Sequence, residues 1–135
     1  MRFTRPVWKK KSTTAVSRKG GRKMELPKFQ IIRGENGKYY FRLRTGDGDV
    51  ILQSESYAVR AGAEKGIDVV RLSVYQDEKF KRKISLDGKY YFDIVSIDGD
   101  ILGTSKLYES LQGCENGIFA VKDLVPKASI EDYAI

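Results

Sequence analysis

The side chains able to carry chemistry in this chain are few in kind, and what is missing excludes most familiar active sites. Histidine does not occur among the 135 residues and cysteine occurs once, at Cys114. An internal disulfide, a Cys/His zinc site and any relay that needs imidazole are therefore closed. Cys114 falls on the apolar stripe of a helix-like segment with no imidazole to take its proton, so it reads as an inert, small buried hydrophobe. Asp47-Gly48-Asp49 and Asp98-Gly99-Asp100 set carboxylates close together, as a hard cation would require. An EF-hand loop spreads its ligands over about twelve residues and ends in Glu. Neither cluster continues that way, so turn chemistry is the expected role. Tyr57 and Tyr108 recur at strand exits, where a ring packs inward and its hydroxyl is expected to find backbone partners. No phosphate-loop or dinucleotide glycine motif is present. No catalytic, cofactor-binding or metal-binding residue is assigned.

Basic side chains are the remaining candidates, and they are unevenly placed. Residues 1–28 carry Arg2, Arg5, Lys9, Lys10, Lys11, Arg18, Lys19, Arg22, Lys23 and Lys28 against Glu25 alone, a net of +9. The other residues therefore hold −2 of the chain's +7. An arm of separated Lys and Arg among Ser, Thr and Gly cannot collapse by itself, and its composition predicts disorder in isolation. Three readings stay open for it: phosphate neutralisation on a nucleic acid, a solvated tail or upstream sequence, and an organelle transit segment. Met24-Glu25-Leu26, just ahead of the first strand-like segment, would make a natural beginning. Trp8, with Phe3 and Val7, adds an aromatic able to stack on a base. A second group lies in the body. Tyr40, Arg42 and Arg44 alternate outward along one strand, and Lys79, Lys81 and Lys83 alternate around Phe80 and Arg82 along another. Brought together on one sheet face, they would form a basic strip with tyrosines suited to unpaired bases. Exposed Lys and Arg also serve solubility and discourage edge pairing.

The elements that position these residues come from a repeat. Residues 29–74 lie over 80–125 at a constant offset of 51 without a gap. Gly37-Lys38-Tyr39-Tyr40-Phe41 falls on Gly88-Lys89-Tyr90-Tyr91-Phe92, and Asp47-Gly48-Asp49 on Asp98-Gly99-Asp100. Ser54 and Tyr57 fall on Ser105 and Tyr108, and Gly62, Glu64, Gly66 and Ile67 on Gly113, Glu115, Gly117 and Ile118. Asn36-Gly37 and Asp87-Gly88 predict type I′ hairpin turns. Tyr39, Phe41 and Leu43 then alternate with Tyr40, Arg42 and Arg44, a strand with one buried and one wet face. A third strand runs from Val50 to Glu55, and from Ile101 to Lys106 in the second copy. Afterwards Ala63, Ile67, Val70 and Val74 follow a helical rhythm, as do Cys114, Ile118, Val121 and Val125. Gly62 and Gly66, four apart on one helical face, predict close backbone packing on the sheet.

This pattern resembles the YegP-like family, small bacterial tandem-repeat proteins of unknown function. The resemblance covers about residues 29–125. It implies a βββα repeat with the strand after each helix shared or swapped between units, and hence a homodimer as one outcome. It carries over no catalytic or binding residue, and the basic arm departs from it.

At 15.3 kDa, with 41% apolar and 32% charged residues, the chain suits a single globular domain. The expected fold is α+β: two tandem βββα repeats, an antiparallel sheet with helices on one face, and strand sharing between repeats. The expected organisation is a basic arm at 1–28, one domain at 29–125 built of repeats 29–74 and 80–125, and a tail at 126–135. No apolar run approaches the ~18 residues that cross a bilayer, so no membrane contact is expected and a cytoplasmic protein is. The expected function is a non-enzymatic binding or structural module acting through self-association or protein contact. The alternative is a nucleic-acid-associated protein using the arm and the sheet strip.

Overall fold

Alternation along the strands builds the sheet. The computed structural model describes residues 26–134. In the first repeat β1 spans Lys28–Arg33, β2 Tyr39–Arg44 and β3 Val50–Gln53, followed by α1, Arg60–Ser73. In the second, β4 spans Phe80–Ile84, β5 Tyr90–Val95 and β6 Ile101–Ser105, followed by α2, Leu111–Leu124. The fold is the expected α+β arrangement of two βββα units. Phe29, Ile31, Phe41, Leu43, Leu52, Phe92 and Ile94 are wholly buried. They form the core with Ala63, Ile67 and Val70 of α1 and Cys114, Ile118 and Val121 of α2. Tyr39 and Tyr90, at the ends of their strands, are only partly buried.

The hairpins depart from the expected turn type. Gly37 N–H donates to Gly34 C=O at 3.0 Å and Gly34 N–H to Lys38 C=O at 2.7 Å. The closed turn is therefore Gly34 to Gly37, with Asn36 third and Gly37 fourth, rather than a type I′ turn centred on Asn36-Gly37. This is the three-residue loop that ends in a left-handed glycine. Gly37 and Gly88 adopt φ of 80° and 84°. The same bonding recurs at Thr45–Asp49, Ser85–Lys89 and Ser96–Asp100, so all four hairpins share one design.

The strands join into one sheet of order β4-β5-β6-β3-β2-β1-β7, where β7 is Ser129–Asp132. At its centre β3 meets β6 antiparallel, with Gln53 opposite Thr104. These two residues are repeat equivalents, 51 apart, so a pseudo-twofold axis passes between them. The segment expected as a tail supplies the seventh strand, which pairs parallel to β1 of the other repeat. Strand sharing between repeats is thus met within one chain. The helices cross-brace the same way: Arg71 of α1 donates to Ala128 C=O at 2.7 Å, and Lys122 of α2, its equivalent, reaches Asp77 Oδ1 at 2.9 Å.

Candidate binding surface

The chemically suggestive residues resolve into scaffold. Cys114 is wholly buried, and burial pushes its thiol pKa up, away from thiolate. Asp47 accepts a short hydrogen bond from Thr45 Oγ1, which draws its pKa down, while Asp49 meets Lys106 Nζ at 2.7 Å. Both carboxylates are thereby used in turn and ion-pair contacts. Tyr57 stacks on Phe41 with ring centroids 6.3 Å apart. A Cβ at Gly66 would lie 2.5 Å from Tyr57 Oη, and Gly117 is pressed by Tyr108 Oη in the same way. The paired glycines thus admit the tyrosine tips to the helix backbone. Burial raises both phenol pKa values. The expected backbone partners of these hydroxyls are not found among the described residues.

The basic residues of the body share a face but not a patch. Tyr40, Arg42 and Arg44 lie on β2 and Lys81 and Lys83 on β4, with β5, β6 and β3 between them. Four strand spacings separate the two groups by roughly 19 Å. The single strip expected across the repeat junction is therefore two separate clusters. Each is engaged in its own network. Arg42 Nε donates to Gln30 Oε1 at 2.9 Å, whose amide donates to Glu131 Oε1 at 3.1 Å. Lys83 Nζ meets Asp93 Oδ2 at 2.6 Å, and Thr104 donates to Asp93 Oδ1 at 2.7 Å. Asp93, 3% exposed, holds the Lys83 pKa above its usual value. Arg82 points to the helix side, where it pairs with Glu115 at 2.8 Å. Arg2, Arg5, Trp8, Lys9, Lys10, Lys11, Arg18, Lys19, Arg22 and Lys23 lie outside the described residues.

What sequence reasoning missed is the inequality of the two sheet edges. In an antiparallel pair, residues that bond a neighbour alternate with residues whose N–H and C=O face away. The hairpin bonds Gly34–Lys38 and Ser85–Lys89 fix that phase. On β1, Phe29 and Ile31 face away from β2, and β7 covers them; Tyr133 N–H donates to Ile31 C=O at 2.8 Å. On β4 the same phase turns Phe80, Arg82 and Ile84 outward, where no strand follows among the described residues and the Phe80 N–H turns to Asp77 C=O. Arg82 bends its own guanidinium to Phe80 C=O at 3.1 Å. The signal was in the spacing. The first repeat's tail has only residues 74–79 between α1 and β4, and their last turn, Asp77–Lys79, leads straight into β4, so it crosses to the second repeat with no residues left to form an added strand.

Comparison with known proteins places this architecture. The model of the family described as "Domain of unknown function (DUF1508)" matches twice, at residues 35–79 and 85–132. The chain is 35% identical over 104 residues to the UPF0339 protein YegP of Shigella flexneri, covering 77% of this chain and 94% of that one. It is 33% identical over 105 residues to the UPF0339 protein PA0329 of Pseudomonas aeruginosa, covering 78% of this chain and 96% of that one. The solution NMR structure of the protein of unknown function yegP from E. coli superposes with a TM-score of 0.77 at 32% identity, covering 82% of this chain and 96% of that one. That of the UPF0339 protein SO3888 from Shewanella oneidensis gives 0.76 at 29% identity, with coverages of 80% and 92%. Among the described residues no helix is long and apolar enough to cross a membrane.

Proposed function

Since the chain belongs to the UPF0339 family of tandem DUF1508 repeats, a family of unknown function, we propose that it is a non-enzymatic binding module that works through contact with another protein chain. One observation carries the reading: a sheet whose two ends are related by a pseudo-twofold axis is closed by β7 at one end and, among the described residues, open along β4 at the other. Phe80 is already used, its N–H on Asp77 C=O and its C=O on Arg82, so the open part of the edge is Arg82 and Ile84, whose outward N–H and C=O groups are a template for an incoming strand. Ile84 and Leu86, at the exit of β4, stay exposed and give such a strand apolar surface to cover.

The test compares the full chain with an Ile84→Pro variant. The Ile84 N–H faces the open edge, so proline there blocks strand addition and leaves the β4–β5 ladder intact. The expected result at micromolar concentration is association in sedimentation, or a protein cross-linked through a photoreactive group at residue 86, that disappears in the variant. A monomer with no contact dependent on β4 overturns the reading, and so does retention of nucleic acid alone.

A further inference from the structure

We propose that the β4 edge receives, in parallel orientation, an extended acidic segment of a partner protein in which one carboxylate stands between two apolar residues. The inference rests on the protein-contact reading and gives that partner its chemistry. The template is the occupant of the equivalent edge. On β1, β7 runs parallel with Ser129 opposite Lys28, Ile130 opposite Phe29, Glu131 opposite Gln30 and Asp132 opposite Ile31. Glu131 is gripped by Lys28 Nζ at 3.4 Å and Gln30 Nε2 at 3.1 Å, and the Gln30 bond is the leading cause of its lowered pKa.

An offset of 51 carries Lys28 and Gln30 onto Lys79 and Lys81. Lys79 falls in the turn Asp77–Lys79 just before β4, so an added strand would set its third residue beside Lys81, an ammonium group where β7 meets the Gln30 amide, a stronger demand for a carboxylate. Lys81 is exposed and has no ion-pair partner among the described residues. The residues on either side are set by the same mapping. The second would lie beside Phe80, as Ile130 lies beside Phe29. The fourth differs: Asp132 lies opposite Ile31 and pairs with Arg60 at 3.3 Å, whereas the equivalents are Arg82, already paired with Glu115 and Asp77, and Leu111, 52% exposed, which favours an apolar neighbour.

Charge also decides against the other occupants. A second β4 would bring Lys81 and Lys83 against their own copies. Residues 1–25 offer Glu25 alone among nine basic side chains. The chain's own β7 is already engaged on β1.

The test uses the full-length protein and a fluorescein-labelled peptide, Ala-Ser-Ile-Glu-Ile-Tyr, in anisotropy titrations and in amide-resolved NMR. Expected are shifts centred on the Arg82 and Ile84 amides, affinity that falls with salt, and at least tenfold weaker binding for Lys81→Glu, for Ile84→Pro and for a peptide with Lys in place of Glu. Binding that ignores both substitutions, or that moves to β1, overturns the proposal. So does displacement of the peptide by single-stranded RNA at equal charge. If the peptide does not bind while Ile84→Pro still abolishes association with a protein, the acidic strand is overturned and the protein-contact reading stands; if neither the peptide nor any protein binds through β4, both are overturned.

Discussion

Gly66 decides between two effects of opposite sign. In an exposed helix interior, Gly→Ala gains about 1 kcal/mol. Here the added methyl would meet Tyr57 Oη at 2.5 Å and Phe41 Cε2 at 2.9 Å, both in packed rings. Overpacking of that kind costs typically about 1–3 kcal/mol, so Gly66→Ala should be destabilising on balance. Removing the hydroxyl removes the nearest obstacle, so the destabilisation should shrink or reverse in a Tyr57→Phe background. Denaturation midpoints for the four proteins of this double-mutant cycle check it, and strict additivity would show that ring and helix do not meet. Acid stability belongs to the same scale. Glu131 and Glu115 are held below the ordinary 4.5 and Asp77 below 3.8, chiefly by Gln30, Arg82 and Lys122 respectively. A depressed carboxylate contributes stability that is fully present above its unfolded pKa and is lost as pH falls through the folded value. As far as these groups set it, the midpoint should therefore hold between about pH 6 and 5 and decline from about pH 4.5 downward. These pairs are solvent-exposed, so the decline they cause is small. Glu115→Gln should flatten it; an unchanged slope would dissociate that pair from acid sensitivity.

Each helix starts differently although the repeats align without gaps. Ser110 Oγ accepts from Gly113 N–H at 2.9 Å, a side-chain cap for α2. Its equivalent before α1 is Val59, which has no acceptor to offer and is 59% exposed. Val59→Ser should stabilise by about 1 kcal/mol and Ser110→Ala should cost about as much, since a side-chain cap contributes ~0.5–2 kcal/mol. Thermal melts of both variants check this, and a neutral result at both would remove the cap as a determinant. At this scale most of the fold was legible. Tyr39, Phe41 and Leu43 against Tyr40, Arg42 and Arg44 gave strand and face together, and Ala63, Ile67 and Val70 gave the helix and its buried side. The turn type was not legible, because Asn36-Gly37 suits both a two-residue and a three-residue loop, and bonding from Gly34 decides between them. Strand order was invisible for a related reason. Local patterning says which face of β2 and β4 is wet, but not that three strands stand between Arg42 and Lys81. The β7 strand was hidden in a tail too short to show alternation.

Seen whole, the two repeats are not two domains. They share a sheet through Gln53 and Thr104, and each repeat's tail is held by the other's helix or strand: Ala128 by Arg71, Asp77 by Lys122, and β7 by β1. A unit on the order of 50 residues buries too little of its surface to be comfortably stable alone. Here each would also expose β3 or β6 as a raw edge. Separated fragments 26–78 and 79–134 should therefore each lack a cooperative transition, and an equimolar mixture should regain one whose midpoint rises with protein concentration, as for any folded state that exists only on association. Circular dichroism melts of each fragment and of the mixture at several concentrations read this directly. The crossed contacts supply a control: Arg71→Ala in the first fragment removes the grip on Ala128 and should weaken reassembly without giving either fragment structure of its own. A fragment that melts cooperatively as a monomer would make the sheet junction dispensable, and the pseudo-twofold axis would then relate two domains packed side by side rather than two halves of one.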